Sequence, residues 1–220
     1  MKKEFIDLSH TIEEGIITYK GLPAPIICDY LSREDSRNHY EKGTEFHIGK
    51  IEMVSNTGTY VDVPFHRYEN GKDLSEVTVH KFAGLEGVVV SVIEHVKEID
   101  ETFFHDIQVS GKAVLVHTGW DKHWNTDQYF ENHPYLTEGA AKYLVEHKAA
   151  LVGIDSHNID DTSGTSRPVH TSLLGAEIPI AEHLCNLEEL GNHEFSFYAV
   201  PPKIKNFGTF PVRAFAEITK

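Results

Sequence analysis

Apolar and other residues alternate with period two over residues 46–54, Phe-His-Ile-Gly-Lys-Ile-Glu-Met-Val, which predicts a strand. It runs into residues 55–66, Ser-Asn-Thr-Gly-Thr-Tyr-Val-Asp-Val-Pro-Phe-His. Read as an extended segment, this stretch puts Asn56, Tyr60, Asp62 and His66 on one parity and Val61, Val63 and Phe65 on the other. Thr57-Gly58-Thr59 lets the backbone approach a neighbour closely, and Pro64 should end ladder pairing because it has no N–H to donate. An acid and an imidazole are thereby delivered at a strand end.

The rest of the chain reads as alternating strands and helices. Residues 5–10 form a short strand, 15–25 are punctuated by Gly and Pro, and 26–30 are a second apolar run. Residues 32–45 are polar and predict an exposed loop, with a lid over a pocket as a second possibility. Residues 85–93 carry Val88-Val89-Val90 and residues 113–120 carry Ala-Val-Leu-Val, two buried strands. A short helix over 98–104 has Asp100 as its cap. Residues 136–148 predict an amphipathic helix capped by Thr137, with Ala141, Leu144 and Val145 on one side. The strand 149–155 follows and ends in Asp155; strand, helix, strand is the α/β pattern. Two more strands, 195–200 and 210–218, close the chain. With no repeat and no linker, residues 1–220 are expected to form one sheet-centred α/β domain of mixed strands with flanking helices. A chain of this length buries roughly 70–75% of its unfolded surface and needs no staple.

Composition narrows the partners. The 34 acidic against 20 basic residues give a formal charge of -14, which repels phosphate backbones and anionic membranes, so neither nucleic acid nor a membrane is an expected partner. The N-terminal residues have no apolar signal core and no run reaches the roughly 18 residues that span a bilayer, which predicts a soluble cytoplasmic protein. Cys28 and Cys185 sit in apolar sequence without C-x-x-C spacing and read as buried thiols.

Beyond Asp62 and His66, three groups of residues carry candidate chemistry. Trp120, Trp124, Tyr129, Phe130 and Tyr135 are positioned to wall an aromatic substrate pocket or, equally, to pack over the core or a subunit interface. The loop after the strand 149–155 holds Asp155, His157, Asp160 and Asp161 without the ligand spacing of an EF-hand, which leaves site lining and turn chemistry as alternatives. Asp155, at the strand end, and Trp120 are the substrate-contact candidates. Lastly, His170, an apolar turn closed by Gly175 and an extended Ile-Pro-Ile leading to Glu182 can bring His170 and Glu182 to one point. His10 reads as a structural histidine.

Gly58-Thr59, Asp62, Pro64 and His66 resemble the metal-site signature of the cyclase family that includes kynurenine formamidases and isatin hydrolases. That signature is written His-x-Gly-Thr-His-x-Asp-x-Pro-x-His, its first spacer being allowed two residues. Asp7-Leu8-Ser9-His10 is similar to the family's N-terminus, and His170-x-x-Leu173-Leu174 followed by Ile178-x-Ile180-x-Glu182-x-Leu184 to its second ligand set. Asn56 and Tyr60 stand where the signature has its two early histidines. The resemblance implies the swivelling β/α/β fold, a homodimer or homotetramer, and hydrolysis of an aryl formamide or cyclic amide. It implies Asp62, His170 and Glu182 as ligands of one divalent ion, zinc or manganese, with His66 as acid/base. Tyr60 would donate to a developing oxyanion, and Asn56 would do likewise or lend a weak carbonyl ligand. Two other functions stay open: a small-molecule binder that has lost the chemistry, and a metal-independent enzyme using Tyr60 and His66.

Overall fold

The computed structural model of the chain describes residues 3–92 and 96–219. The strands in chain order are β1 (Lys3–Asp7), β2 (Ile26–Leu31), β3 (Ile48–Glu52), β4 (Tyr60–Asp62), β5 (Ala83–Ser91), β6 (Glu98–Ile99) and β7 (Ala113–His117). They continue as β8 (Tyr135–Leu136), β9 (Leu151–Ile154), β10 (Ile180–Glu182), β11 (Phe195–Tyr198), β12 (Thr209–Pro211) and β13 (Phe215–Thr219). The helices are α1 (Arg33–Ser36), α2 (Glu138–Glu146) and α3 (Pro168–Gly175). Among the described residues, nine strands form the main sheet in the order β1-β13-β11-β5-β7-β9-β10-β4-β12. Its centre, β5-β7-β9-β10, is parallel, and the strands on both sides are antiparallel. This is the mixed α/β sheet with flanking helices that the sequence predicts.

Central β7 shows why the parallel strands read as continuous apolar runs. Val114 and Val116 pack into one buried cluster with Ala140, Ala141 and Leu144 of α2 and with Leu173 and Leu174 of α3. Ala113 and Leu115 point into a second cluster with Val61, Val63 and Leu184. A strand covered on both faces has no polar side to alternate with. Helix α2 starts where Thr137 places it, its hydroxyl accepting from Ala140 N. Asp100 likewise caps a 3₁₀ turn, Glu101–Phe104, by accepting from Thr102 N. No helix among the described residues is long and apolar enough to cross a membrane.

Several expectations change in detail. The strand predicted over 46–54 exists as β3, yet it does not lead the chain through the main sheet. Among the described residues it pairs only with β2, in a two-stranded ribbon whose side chains are exposed, including Ile26, Ile48 and Ile51. Period two therefore marks the strand correctly and says nothing of what covers its apolar face. Cys28 lies on this ribbon and is exposed, whereas Cys185 is buried as expected. The loop 32–45 contains the short helix α1, capped by Ser32. The apolar turn expected after His170 is the two-turn helix α3, begun by Pro168 at its first position. Residue 93, the end of the run predicted over 85–93, lies outside the described residues.

Candidate metal and acid-base site

Strand register assembles the site at one side of the sheet. In β4, Tyr60 faces Glu182 of β10 and Asp62 faces Thr209 of β12. Tyr60 and Asp62 have the same parity, so all four side chains gather on one face. Pro64 then ends the ladder, as expected, and opens the 3₁₀ turn Pro64–His66 that carries His66 back over the strand end. Gly208 makes that return possible: a Cβ there would overlap the backbone of His66. His170 arrives from the opposite direction, on the first turn of α3.

Asp160 fixes His170. Its carboxylate accepts from the backbone N–H groups of Val169 and His170 at 2.8 and 3.0 Å and so caps the helix start. It also contacts His170 Nδ1 at 2.6 Å. With Nδ1 held there, Nε2 is turned toward Asp62 Oδ2 at 3.6 Å and Glu182 Oε2 at 3.9 Å. Burial opposes a charge on His170, but Glu182, Asp160 and Asp62 outweigh it and hold the imidazolium up to about 10. Burial raises Glu182 as well, although His170, Tyr60 and the N–H of Ile159 favour its anion.

Asp62 is fully buried and its Oδ2 has no hydrogen-bond partner among the described residues. Its Oδ1 accepts a short hydrogen bond from the Thr209 hydroxyl, and that hydroxyl also contacts His66 Nδ1 at 2.7 Å. Asp62, His66 and His170 bring one ligand atom each within 4.8 Å of one another. Two ligands of a tetrahedral ion with bonds of about 2.1 Å lie roughly 3.4 Å apart, close to the 3.6 Å between Asp62 Oδ2 and His170 Nε2. One orphaned carboxylate oxygen and two imidazoles thus fit a divalent ion, and zinc and manganese both accept that donor set. Glu182, expected as the third ligand, stands beside this group. Its Oε1 accepts from Ile159 N at 2.7 Å and its Oε2 from Tyr60 Oη at 2.6 Å.

A cavity of about 530 Å³ opens over these groups, lined among others by Asn56, Tyr60, His66, His170 and Glu182. Of the aromatic segment, Phe130 reaches the cavity. Trp124 stacks on His10 with centroids 4.0 Å apart, and His10 Nε2 is buried without a hydrogen-bond partner among the described residues. Trp120 is not part of the lining; its indole N–H donates to Tyr129 O. Asp155 is fully buried away from the cavity and accepts from the N–H groups of Thr118 and Gly119 and from the Thr118 hydroxyl. Of the acids in the loop after β9, Asp160 is the one that reaches the site.

The sequence profile of the Cyclase family, described as putative cyclase, matches residues 6–161. The chain belongs to the putative cyclase family. Similar curated proteins include the kynurenine formamidase of Geobacillus thermodenitrificans (strain NG80-2), 29% identical over 216 residues and 97% of each chain. The kynurenine formamidase of Bacillus cereus (strain ATCC 14579) is 27% identical over 96% of each. Among solved structures, isatin hydrolase A from Labrenzia aggregata, bound to benzyl benzoate, superposes with a TM-score of 0.82 at 22% identity, over 99% of this chain and 94% of that one. A potential metal-dependent hydrolase with cyclase activity gives a TM-score of 0.81 at 22% identity over the whole of both chains. These likenesses fix the fold.

In this putative cyclase the side of the site nearest residues 56 and 60 is filled by phenols. Tyr60 Oη lies 2.8 Å from Tyr19 Oη, and Asn158 Nδ2 donates to Tyr19 Oη at 2.9 Å. Burial, followed by the charge of Glu182, pushes both phenols well above their usual range, so both are neutral. Tyr19 and Thr209 are the site residues that sequence reasoning did not single out, whereas Asp160 stood among the loop acids for which site lining was one alternative. Thr209 had no signal.

Proposed function

We propose that this putative cyclase is a metal-dependent hydrolase that cleaves the C–N bond of an aryl formamide or a cyclic amide, in the manner of a kynurenine formamidase. The carrying observation is the buried, partnerless Asp62 Oδ2 facing His170 Nε2, with His66 across the same cavity. Asp62 and His170 hold the ion, with Glu182 alongside. A divalent ion there, zinc or manganese, supplies Lewis acidity toward the amide carbonyl and lowers the pKa of water.

The protein's own groups do the remaining work. His66 takes a proton from water as its oxygen attacks the carbonyl carbon, and returns that proton to the nitrogen as the C–N bond breaks. Tyr60 spends its single proton on Glu182 and so orients that carboxylate; Asn56, at the cavity wall, is the donor left for the developing oxyanion. Asp155 and Trp120 support the cavity from behind, through the Thr118-Gly119 turn and Tyr129. A second reading, a binder without turnover, is favoured by one feature, the phenols of Tyr19 and Tyr60 beside Glu182. Elemental analysis of the purified protein and assays of formanilides and cyclic imides with added Zn²⁺ or Mn²⁺ separate the two. The hydrolase predicts about one ion per chain and turnover lost on chelation. A metal-free protein that binds such compounds unchanged is the binder.

We further propose a homodimer or homotetramer built through the β2-β3 ribbon. Its Ile26, Ile27, Tyr30, Ile48 and Ile51 are exposed, and Ile27 and Ile51 stand opposite one another in the register, an apolar pair that a second copy would cover. Ile51→Lys should shift the mass measured by light scattering to that of a smaller species while leaving the far-UV spectrum unchanged. A wild type that is monomeric at micromolar concentration sinks the idea.

A further inference from the structure

The cavity has an acidic floor and a cationic rim. Fully buried Glu182 belongs to its lining, with fully buried Asp62 3.6 Å behind His170 of the same lining, while Arg67 and Arg167 line the same opening. In a chain with a formal charge of -14, unpaired arginines at a pocket mouth are informative. Among the described residues, neither guanidinium forms an ion pair with a carboxylate. Lys20, the third cation of the lining, is already engaged by Asp127 at 3.3 Å and lies over the Phe130 ring.

The two arginines are tied to one another. Arg67 Nε donates to Thr171 Oγ1 at 3.3 Å, and Thr171 Oγ1 donates to Arg167 O at 2.7 Å. Arg167 Nη1 donates to the carbonyls of Asp161, Gly164 and Ser166, which fixes the guanidinium plane. Arg67 lies over the Tyr68 ring, 5.5 Å from its centroid. Neither terminal nitrogen of Arg67 makes a hydrogen bond within the described residues, nor does Arg167 Nη2. Two cations that line one opening and keep free donors gain from an anion bound there, and a guanidinium edge matches a planar oxyanion in two-point geometry.

We propose that Arg67 and Arg167 form a carboxylate subsite, so that this protein selects amides carrying a carboxylate away from the bond presented to His66. The inference rests on the hydrolase reading for the word substrate, but the subsite is a binding property and is testable without turnover. A monoanion is favoured over a phosphate dianion because the buried acids below and the net charge of the chain oppose each added negative charge. Phe130 and His157 in the same lining supply aromatic faces for the body of an aryl compound.

The test is calorimetric titration with benzoate, phenylacetate, 3-phenylpropionate and 4-phenylbutyrate, each against its carboxamide. At least one acid should bind about tenfold more tightly than its amide, as expected for charge-assisted hydrogen bonds. Arg67→Gln should bring that ratio close to one, and Arg67→Lys should keep part of it. Arg67 is exposed, so the variant should melt with the wild type; Arg167→Gln, which also loosens a loop, is the second variant. Equal binding of acids and amides by the wild type overturns the proposal. So does an acid preference that survives in both variants, which would put the carboxylate on an ion at Asp62 instead. A protein that turns over no amide yet shows the arginine-dependent preference keeps the subsite and loses the hydrolase. One that hydrolyses formanilides with no such preference does the reverse.

Discussion

His66→Ala should lower kcat for an aryl formamide by about 10² to 10⁴, the range that positioned acid-base catalysis supplies, with bound metal and melting temperature unchanged. The argument is a proton count. The Thr209 hydroxyl has one proton, and Asp62 Oδ1, an acceptor only, takes it in the short hydrogen bond between them. The contact at 2.7 Å between Thr209 Oγ1 and His66 Nδ1 then requires the proton of the imidazole to sit on Nδ1. Nε2 is left with its lone pair, in a side chain whose relative exposure of 34% leaves it open to water. Thr209→Val removes this lock. One hydrogen bond is worth about 1 kcal/mol, so kcat should fall several-fold to tenfold, and Thr209→Ser should restore it. The rival assignment makes His66 a ligand, since it belongs to the cluster with Asp62 and His170. Elemental analysis decides between them: His66→Ala protein that has lost its ion together with its activity disproves the acid-base role.

The same residues show what a sequence discloses. Pro64 and the apolar runs of β7 and β9 act locally, through a missing N–H and through burial on both faces, so strand ends and central strands can be read directly. Thr137 and Asp100 cap by bonds to residues two or three positions on, and they too are legible. Asp62, His66, His170 and Glu182 came from the family signature; His66, His170 and Glu182 line one cavity, and Asp62 lies 3.6 Å from His170 Nε2. Thr209 escapes because it meets Asp62 only through the β4-β12 register, 147 positions away in the chain. Asp155 misled for a physical reason. A carboxylate at a strand end can serve a ligand or its own turn, and here the N–H groups of Thr118 and Gly119 claim it. The exposed ribbon misled for the opposite reason: alternation signals an apolar face, and the cover for that face is not another part of the described chain.

Acid should destabilise the fold between pH 6.5 and about 4, on the order of 2–3 kcal/mol per pH unit. Burial sets the sign. His133, His157 and His183 are at most 5% exposed, and desolvation pushes His157 down to about 3, His133 below its usual value and His183 well below it. In the folded state His157 and His183 remain neutral, whereas the unfolded chain takes up a proton on each below about pH 6.5, and His133 shifts in the same sense. The stability they contribute is present above that pH and is lost as pH falls. Asp155 works the other way: burial, opposed by its bonds from Thr118 and Gly119, raises it to about 7, so at pH 5 it releases a proton on unfolding. Around pH 5, His10, His157 and His183 take up three protons and Asp155 releases one, a net uptake of two at about 1.4 kcal/mol per pH unit each, from which the raised Glu182 subtracts. In the ion-free protein His170, held up to about 10, is protonated in both states below pH 6 and adds nothing to the slope there. Half-buried His10 is pushed down to about 4 by burial, so its share ends at the acid edge of this window. Urea unfolding at intervals from pH 4.5 to 7.5 measures the slope. His183→Gln removes one titrating ring, at the cost of the contact with Tyr129 Oη at 2.9 Å, and should flatten the slope by about one proton while lowering stability at pH 7.5. A free energy of unfolding that stays level from pH 7 to 5 would mean that water or an ion already charges these rings inside the fold.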